Sequence, residues 1–213
     1  MVLNLWFEQL ANRNYLLFKE GICADIPGKA IFNKDWTRRY FLEKRWAEGG
    51  DILTALLMNP SHAAHNQTDN TVDQIIDVAK VQGCNALYVV NVSSIVDPNS
   101  NDLGNAQFDY EEINWKFVSR AITEAHVVFL GWGVKGQQGI LKHQNSNSGL
   151  VNTFKNLSEK FYCYDVLKSK DKKYVNYPLY YVPHPRPIPN VNKYRNEPIR
   201  KITDQEFIQL FIR

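Results

Sequence analysis

Residues Ile52–Ala79 read ILTALLMNPSHAAHNQTDNTVDQIIDVA. The first six show no period-two alternation, which predicts a strand over Ile52–Leu57 buried on both faces, as strands of parallel sheets are. The run stops at Asn59-Pro60-Ser61 and empties into a polar loop carrying His62, His65 and several carboxamides. Thr71 with Gln74 has the spacing of a capping box. Val72, Ile75, Ile76 and Ala79 then share one face of a helix, for which Gly83 is the natural stop.

The same alternation continues downstream. Ala86–Val92 (ALYVVNV) reads as a second buried strand, followed by a polar loop with Pro98 and Gly104. Asp109 with Glu112 predicts another cap, and Ile113, Phe117, Ala121 and Ala125, with Val118 and Ile122, form a broad apolar helical face. Val127–Gly131 reads as a third strand and GWGVKGQQG as a glycine-broken loop. Leu150–Phe161 is predicted helical, and Tyr162–Leu167 and Leu179–Val182 extended around a basic turn. Thr203 and Glu206 cap a terminal helix containing Phe207, Leu210 and Phe211. Upstream, MVLNLWFEQL is a local element, and Ala30–Phe32 and Arg39–Leu42 are strands around a turn at Asn33–Asp35. Strands alternating with helices predict an α/β fold with a mostly parallel central sheet flanked by helices on both faces. We expect a single domain over 1–213: an N-terminal helix/hairpin region at 1–50, an α/β core at 51–190 and a C-terminal tail helix at 191–213.

Composition narrows the function classes. The net charge is +3, but residues 150–213 hold 12 Lys+Arg against 6 Asp+Glu. This basic third is either a solvated surface, with Lys168–Lys173 as its densest run, or a patch for polyanions. Cys23, Cys84 and Cys163 are scattered, with no zinc spacing and no disulfide framework. No signal sequence or membrane-length apolar run is visible, so the expected compartment is the cytoplasm and no membrane partner is expected. The oligomeric state is not legible.

In parallel sheets ligands sit beyond the carboxyl ends of the strands. The ends here are Asn59-Pro60-Ser61, Asn91-Val92-Ser93-Ser94 and Gly131-Trp132-Gly133, and Leu179–Val182 runs into Pro183-His184-Pro185-Arg186-Pro187. Asn59 offers a donor and an acceptor, and Pro60 biases it away from helix; it orients a water or a base edge, or simply starts a turn. Asn91 interrupts an apolar strand, where a carboxamide must find partners in a loop or a ligand. His184 sits in a stiff proline frame suited to stabilising a leaving group, or to holding a rigid loop. Trp132 is a stacking wall or core packing. Arg38, Arg39 and Arg45 hold phosphates or decorate a hairpin. His62, His65, Asp69 and Asp73 fit no metal pattern, so no metal is expected. With no phosphate-binding glycine loop, dinucleotide fingerprint or nucleophile elbow, no cofactor is expected.

Together, LLMNPSHAAHNQTDNTVDQIIDVAKVQGCNALYVVNVSSIVDP, EEINW, FLGWG and YPLYYVP resemble a bacterial and phage family known as domain-of-unknown-function family 1643, over residues 38–190. More distantly, the order of elements resembles the uracil-DNA glycosylase superfamily. That resemblance implies that Asn59-Pro60 stands for a motif whose Asn positions the hydrolytic water, with Ser61 where a glycine is found. It implies that Asn91 reads the base edge and that His184-Pro185 matches a His-Pro-Ser motif whose His stabilises the departing base, with Arg186 in place of Ser. Trp132 would stack on the base. Arg186, Lys193, Arg195, Arg200 and Lys201 would hold phosphates. The implied activity is N-glycosidic hydrolysis on a nucleic acid or nucleotide. The alternatives are a non-catalytic nucleic-acid module of a phage or mobile element, and a protein that binds a partner through its aromatic N-terminal region.

Overall fold

The computed structural model describes residues 5–97 and 108–212. Helix α1 (Trp6–Arg13) precedes three strands, β1 (Leu17–Cys23), β2 (Ile26–Phe32) and β3 (Arg39–Arg45). β4 (Ile52–Leu57), α2 (Asn70–Val81), β5 (Ala86–Asn91), α3 (Glu112–Glu124), β6 (Val127–Gly131) and α4 (Gly133–Ser146) follow. The chain ends with α5 (Gly149–Asn156), β7 (Phe161–Cys163), β8 (Leu167–Lys168), β9 (Tyr180–Tyr181), β10 (Arg200–Lys201) and α6 (Asp204–Phe211). The loop around Pro98 and Gly104 lies outside the described residues.

Eight strands form one sheet in the order β1-β2-β3-β5-β4-β6-β7-β10, and β8 pairs with β9 separately. β5, β4, β6 and β7 are mutually parallel, whereas β1, β2, β3 and β10 join antiparallel. The sheet is therefore mixed around the expected parallel core, with β10 antiparallel at one edge and three antiparallel strands at the other. Those three strands come before residue 50. The β1–β2 turn places Ala24 and Asp25 at φ 49 and 63, the two left-handed residues of a tight hairpin whose twist suits the strands. The resulting meander docks β3 on the free edge of β5.

The apolar run of β4 is explained by burial on both faces. Leu53, Ala55 and Leu57 join a cluster with Val72, Ile75, Ile76 and Ala79 of α2. Leu56 faces the opposite cluster, built on Phe7, Phe117, Val118, Trp132, Phe154 and Phe211 from the remaining helices. Helices cover both faces, as predicted. Thr54, buried in β4, donates its hydroxyl to the Ala121 carbonyl of α3 at 2.9 Å, which satisfies it. Among the described residues no helix is long and apolar enough to cross a membrane.

Two caps differ from expectation. Asp69, not Thr71, caps α2, accepting the Thr71 and Val72 amides at 2.9 Å each. α3 starts after Glu111 with no side-chain cap, and Asp109 instead contacts Lys142. The Thr203/Glu206 capping box of α6 is present. GWGVKGQQG is not a loop: after Trp132 it forms the first half of α4.

Candidate ligand cleft at the ends of the parallel strands

The strands of the parallel core end together, and their loops are zipped beyond the sheet. The Val92 amide donates to the Leu57 carbonyl and the Ser93 amide to Met58, both at 2.9 Å; the Asp97 amide donates to Pro60 at 3.0 Å. Between these loops, the start of α4 and the segment after β9 lies a cleft of about 500 Å³, lined by Asn59, Ser61, Asp69, Gly133, His184 and Arg186 among others. Its size falls in the range of small-molecule sites.

Asn59 has a fixed orientation. Its Nδ2 donates to the Asp97 carbonyl at 2.7 Å and to the Pro60 carbonyl at 2.9 Å. Of the two ends of the carboxamide only the nitrogen can donate to a carbonyl, so Oδ1 is turned away from them as an acceptor. Pro60 is buried and serves as backbone for this arrangement. Ser61 donates its hydroxyl to Asp69 Oδ2. Burial alone would raise the Asp69 pKa, but the Ser61 hydroxyl, the Val72 amide, the Arg39 charge and the Thr71 amide outweigh it and hold the carboxyl below its ordinary value. Asp69 is therefore a fixed anion in the cleft wall.

Arg39 answers it from β3. Its side chain is only 3% exposed yet lines the cleft. Nη1 donates to the Ala63 carbonyl at 2.5 Å and Nη2 to Asn91 Oδ1 at 3.1 Å, while Nε finds no partner among the described residues. Burial lowers its pKa to about 10, offset in part by Asp69. Asn91 lies behind this guanidinium and is not part of the cleft wall. Its carbonyl accepts from Asn114 at 2.9 Å and its own Nδ2 is buried without a partner among the described residues. Arg39, which covers it, therefore faces the cleft in place of Asn91.

Of the two readings of Trp132, core packing describes the structure. The indole is fully buried, donates Nε1–H to Gln137 Oε1 at 3.0 Å and meets Phe211 edge-on at 5.9 Å. Gln137 in turn donates to the Leu210 carbonyl at 2.7 Å, tying α4 to α6. Trp132 borders the cleft, but its fully buried indole offers no exposed face for stacking. Gly133, next in the chain, takes φ 68 and donates its amide to the Val182 carbonyl at 2.9 Å. This left-handed turn brings the segment after β9 against the start of α4.

His184 sits in that segment. His184 Nδ1 lies 3.1 Å from the Arg186 amide, which can donate to it, and 3.2 Å from the Arg186 carbonyl, which can accept from it, so the two contacts serve opposite tautomers of the imidazole. Burial holds the imidazole below its ordinary pKa, against the raising effects of the Arg186 backbone and Asp69. The Arg186 guanidinium lines the cleft with no carboxylate paired to it among the described residues. The uncapped N-terminus of α4 adds partial positive charge at Gly133, Val134 and Lys135. Ile188, 74% exposed between two prolines, forms an apolar lip.

Gln74 was legible only as a cap partner, yet it holds the site together. From α2 its Nε2 faces the Tyr164 hydroxyl at 3.1 Å and the carbonyls of Pro185 and Tyr194 at 3.2 Å each. Tyr164 and Tyr194 stack at 4.8 Å beneath the His184 segment. Gln74, Asp69 and Ile188 carry no motif signal; only the fold brings them to the cleft.

Other candidates lie elsewhere. Arg38 pairs with Glu111 at 2.9 Å and Arg45 with Glu43 at 2.7 Å. Arg200 pairs with Glu206 and Asp165 on the edge strand β10. Lys193 stands 4.8 Å from the Tyr194 ring centre, and Arg195 and Lys201 are exposed. His62 is exposed, and His65 lends its carbonyl to Lys44 at 3.2 Å. Among the described residues no three His, Cys, Asp or Glu side chains gather. The three cysteines are free, and burial pushes the Cys163 thiol up to about 12.

A family model described as a protein of unknown function (DUF1643) matches residues 39–179, from the start of β3 to the residue before β9, and stops short of His184. Neither a curated protein nor a solved structure matches the chain.

Proposed function

The chain belongs to the DUF1643 family, and from its cleft we propose that it binds a nucleobase-bearing ligand and hydrolyses the N-glycosidic bond. The observation that carries this reading is the meeting of Asn59 and His184, 125 positions apart in the chain, in the lining of one cleft. Asn59 Oδ1 holds a water by accepting a hydrogen bond from it. The water oxygen bonds to the anomeric carbon as the carbon–nitrogen bond breaks through an oxocarbenium-like state. The electron pair leaves with the base, whose negative charge is met by His184, in the tautomer that carries its proton on Nε2, and by the start of α4. The proton shed by the water then neutralises the released base.

The base reaches the cleft from a single strand or by flipping out of a stack, and Ile188 is placed to fill the gap it leaves. Arg186 meets the phosphate beside it. The mixed sheet with a parallel core, the Asn-Pro after its first strand and the His-Pro after the β9 segment support the resemblance to uracil-DNA glycosylases. A second reading, nucleic-acid binding without turnover, is favoured by the shielding of Asn91 behind Arg39. Incubation with a panel of labelled oligonucleotides and free nucleotides, scored for both binding and base release, separates the two. Base release that disappears in Asn59→Ala and His184→Ala, each still folded, supports hydrolysis. Release unaffected by both substitutions removes the mechanism, and binding without release selects the second reading.

A further inference from the structure

We propose that the tip of the β2–β3 hairpin, through Trp36, is a stacking platform for a base next to the one in the cleft, so that the ligand is a single-stranded nucleic acid rather than a free nucleotide. The inference rests on the cleft reading above and adds a site to it. Asn33 builds the tip: its Nδ2 donates to Thr37 Oγ1 at 2.8 Å, its Oδ1 accepts the Arg38 amide at 2.9 Å, and its carbonyl accepts the Trp36 amide at 3.2 Å. This turn leaves Trp36 at φ 59, in the left-handed region where glycine or asparagine is favoured and a bulky residue is an outlier.

The disfavoured backbone holds an indole that is still 44% exposed. The Phe32 ring backs it at 4.5 Å, Lys19 Nζ stands 5.7 Å from its centre and the His65 ring 6.3 Å away. An exposed aromatic fixed beside a cation is the composition of surfaces that stack the bases of single strands. Exposed Lys34 adds a second cation at the tip, against Asp35.

The tip also stands where a strand threaded through the cleft would pass. Phe32 is the register partner of Arg39, which lines the cleft. The Arg39 amide donates to Ser94 at 2.8 Å and the Val96 amide to Thr37 at 2.9 Å, so the tip extends past the same end of the sheet. His65 belongs to the loop between Ser61 and Asp69 that walls the cleft. In the sheet, β3 lies on one side of β4 and β6 on the other. Trp36 therefore stands on the β3 bank and Ile188, following His184, on the β6 bank.

The test compares a mononucleotide panel with labelled single-stranded DNA and RNA of about eight nucleotides, a length within the usual site size of such surfaces. Trp36→Gly relieves the backbone and deletes the ring; Trp36→Tyr keeps a ring. The expected result is tighter wild-type binding of the oligonucleotide than of mononucleotides. Trp36→Gly should lose about tenfold in oligonucleotide affinity, with mononucleotide affinity and Tm unchanged, and Trp36→Tyr should recover most of it. Equal oligonucleotide binding by wild type and Trp36→Gly, with mononucleotides still bound, overturns the platform and spares the cleft reading. A parallel loss of mononucleotide binding and Tm makes the ring structural and also overturns it. Wild-type protein that binds neither probe sinks the cleft reading and the platform with it.

Discussion

Gln74→Leu removes a side chain that never touches the ligand space, yet it should damage the cleft. In the wild type the two protons on Nε2 serve the Tyr164 hydroxyl and the Pro185 and Tyr194 carbonyls, all at 3.1–3.2 Å. Leucine is similar in volume and donates nothing. Losing about two buried hydrogen bonds costs roughly 1–3 kcal/mol each, because the acceptors stay buried. Part is returned, since Gln74 Oε1 is itself buried without a partner among the described residues, and leucine removes that oxygen. The net loss is roughly 1–3 kcal/mol, or about 2–12 °C in Tm for a chain of this size. Thermal and urea unfolding measure it. Hydrogen exchange locates it: the amides of the His184 segment and of 190–195 should open more readily than those of β4 and β5. Unchanged stability, or protection lost uniformly across the molecule, would refute the claim that Gln74 braces the segment carrying His184.

Arg39→Met keeps the bulk and removes the charge; the Asp69 carboxyl, now without its cation, should titrate at higher pH by carbon-detected NMR, and stability should fall by about 3–5 kcal/mol as the acceptors and the anion are left uncompensated. His143 is buried, accepts Trp115 Nε1–H on Nδ1 at 3.0 Å and lies 2.7 Å from the Phe108 carbonyl through Nε2, and burial lowers its pKa. A lowered histidine pKa means that the unfolded chain binds the proton first, so stability should be full above about pH 6.5 and fall as the pH drops below it; His143→Gln should make that limb of the urea-midpoint profile shallower, the rest coming from His184 and His65, which burial lowers as well. At Gly131 a Cβ would stand 2.6 Å from the Phe129 ring and 3.1 Å from Pro185 Cδ. Gly131→Ala should therefore cost about 1–3 kcal/mol by overpacking, and weaken ligand binding through the displaced His184 segment, as read by calorimetry.

The parallel core was legible because its strands are buried on both faces, which leaves uninterrupted apolar runs at Ile52–Leu57, Ala86–Val92 and Val127–Gly131. The meeting of Asn59 and His184 followed from the rule that such strands end on one side of the sheet. Helix α4 was not legible, since its glycines read as breakers. They are there for space: a Cβ on Gly136 would stand 2.5 Å from the Trp132 side chain, and one on Gly139 2.7 Å from Phe108. The helix packs too closely for side chains at those positions. The shielding of Asn91 was hidden for another reason. It depends on Arg39, which arrives from a strand paired antiparallel to β5 and 52 positions away. Local pattern carries no trace of that pairing.

The walls of the cleft are drawn from Arg39 at one extreme to Val191 at the other, with α2, α4 and every strand of the parallel core except β7 feeding into them directly or by one bond. A guest held there clasps most of the polypeptide at once, so its grip must register in the melting of the entire molecule. At a hundred times its Kd it should add about 2.7 kcal/mol, or roughly 5–10 °C. Unlabelled thermal-shift screening of nucleobases, nucleotides and short strands is thus a direct way to find the natural guest, before any chemistry is assumed.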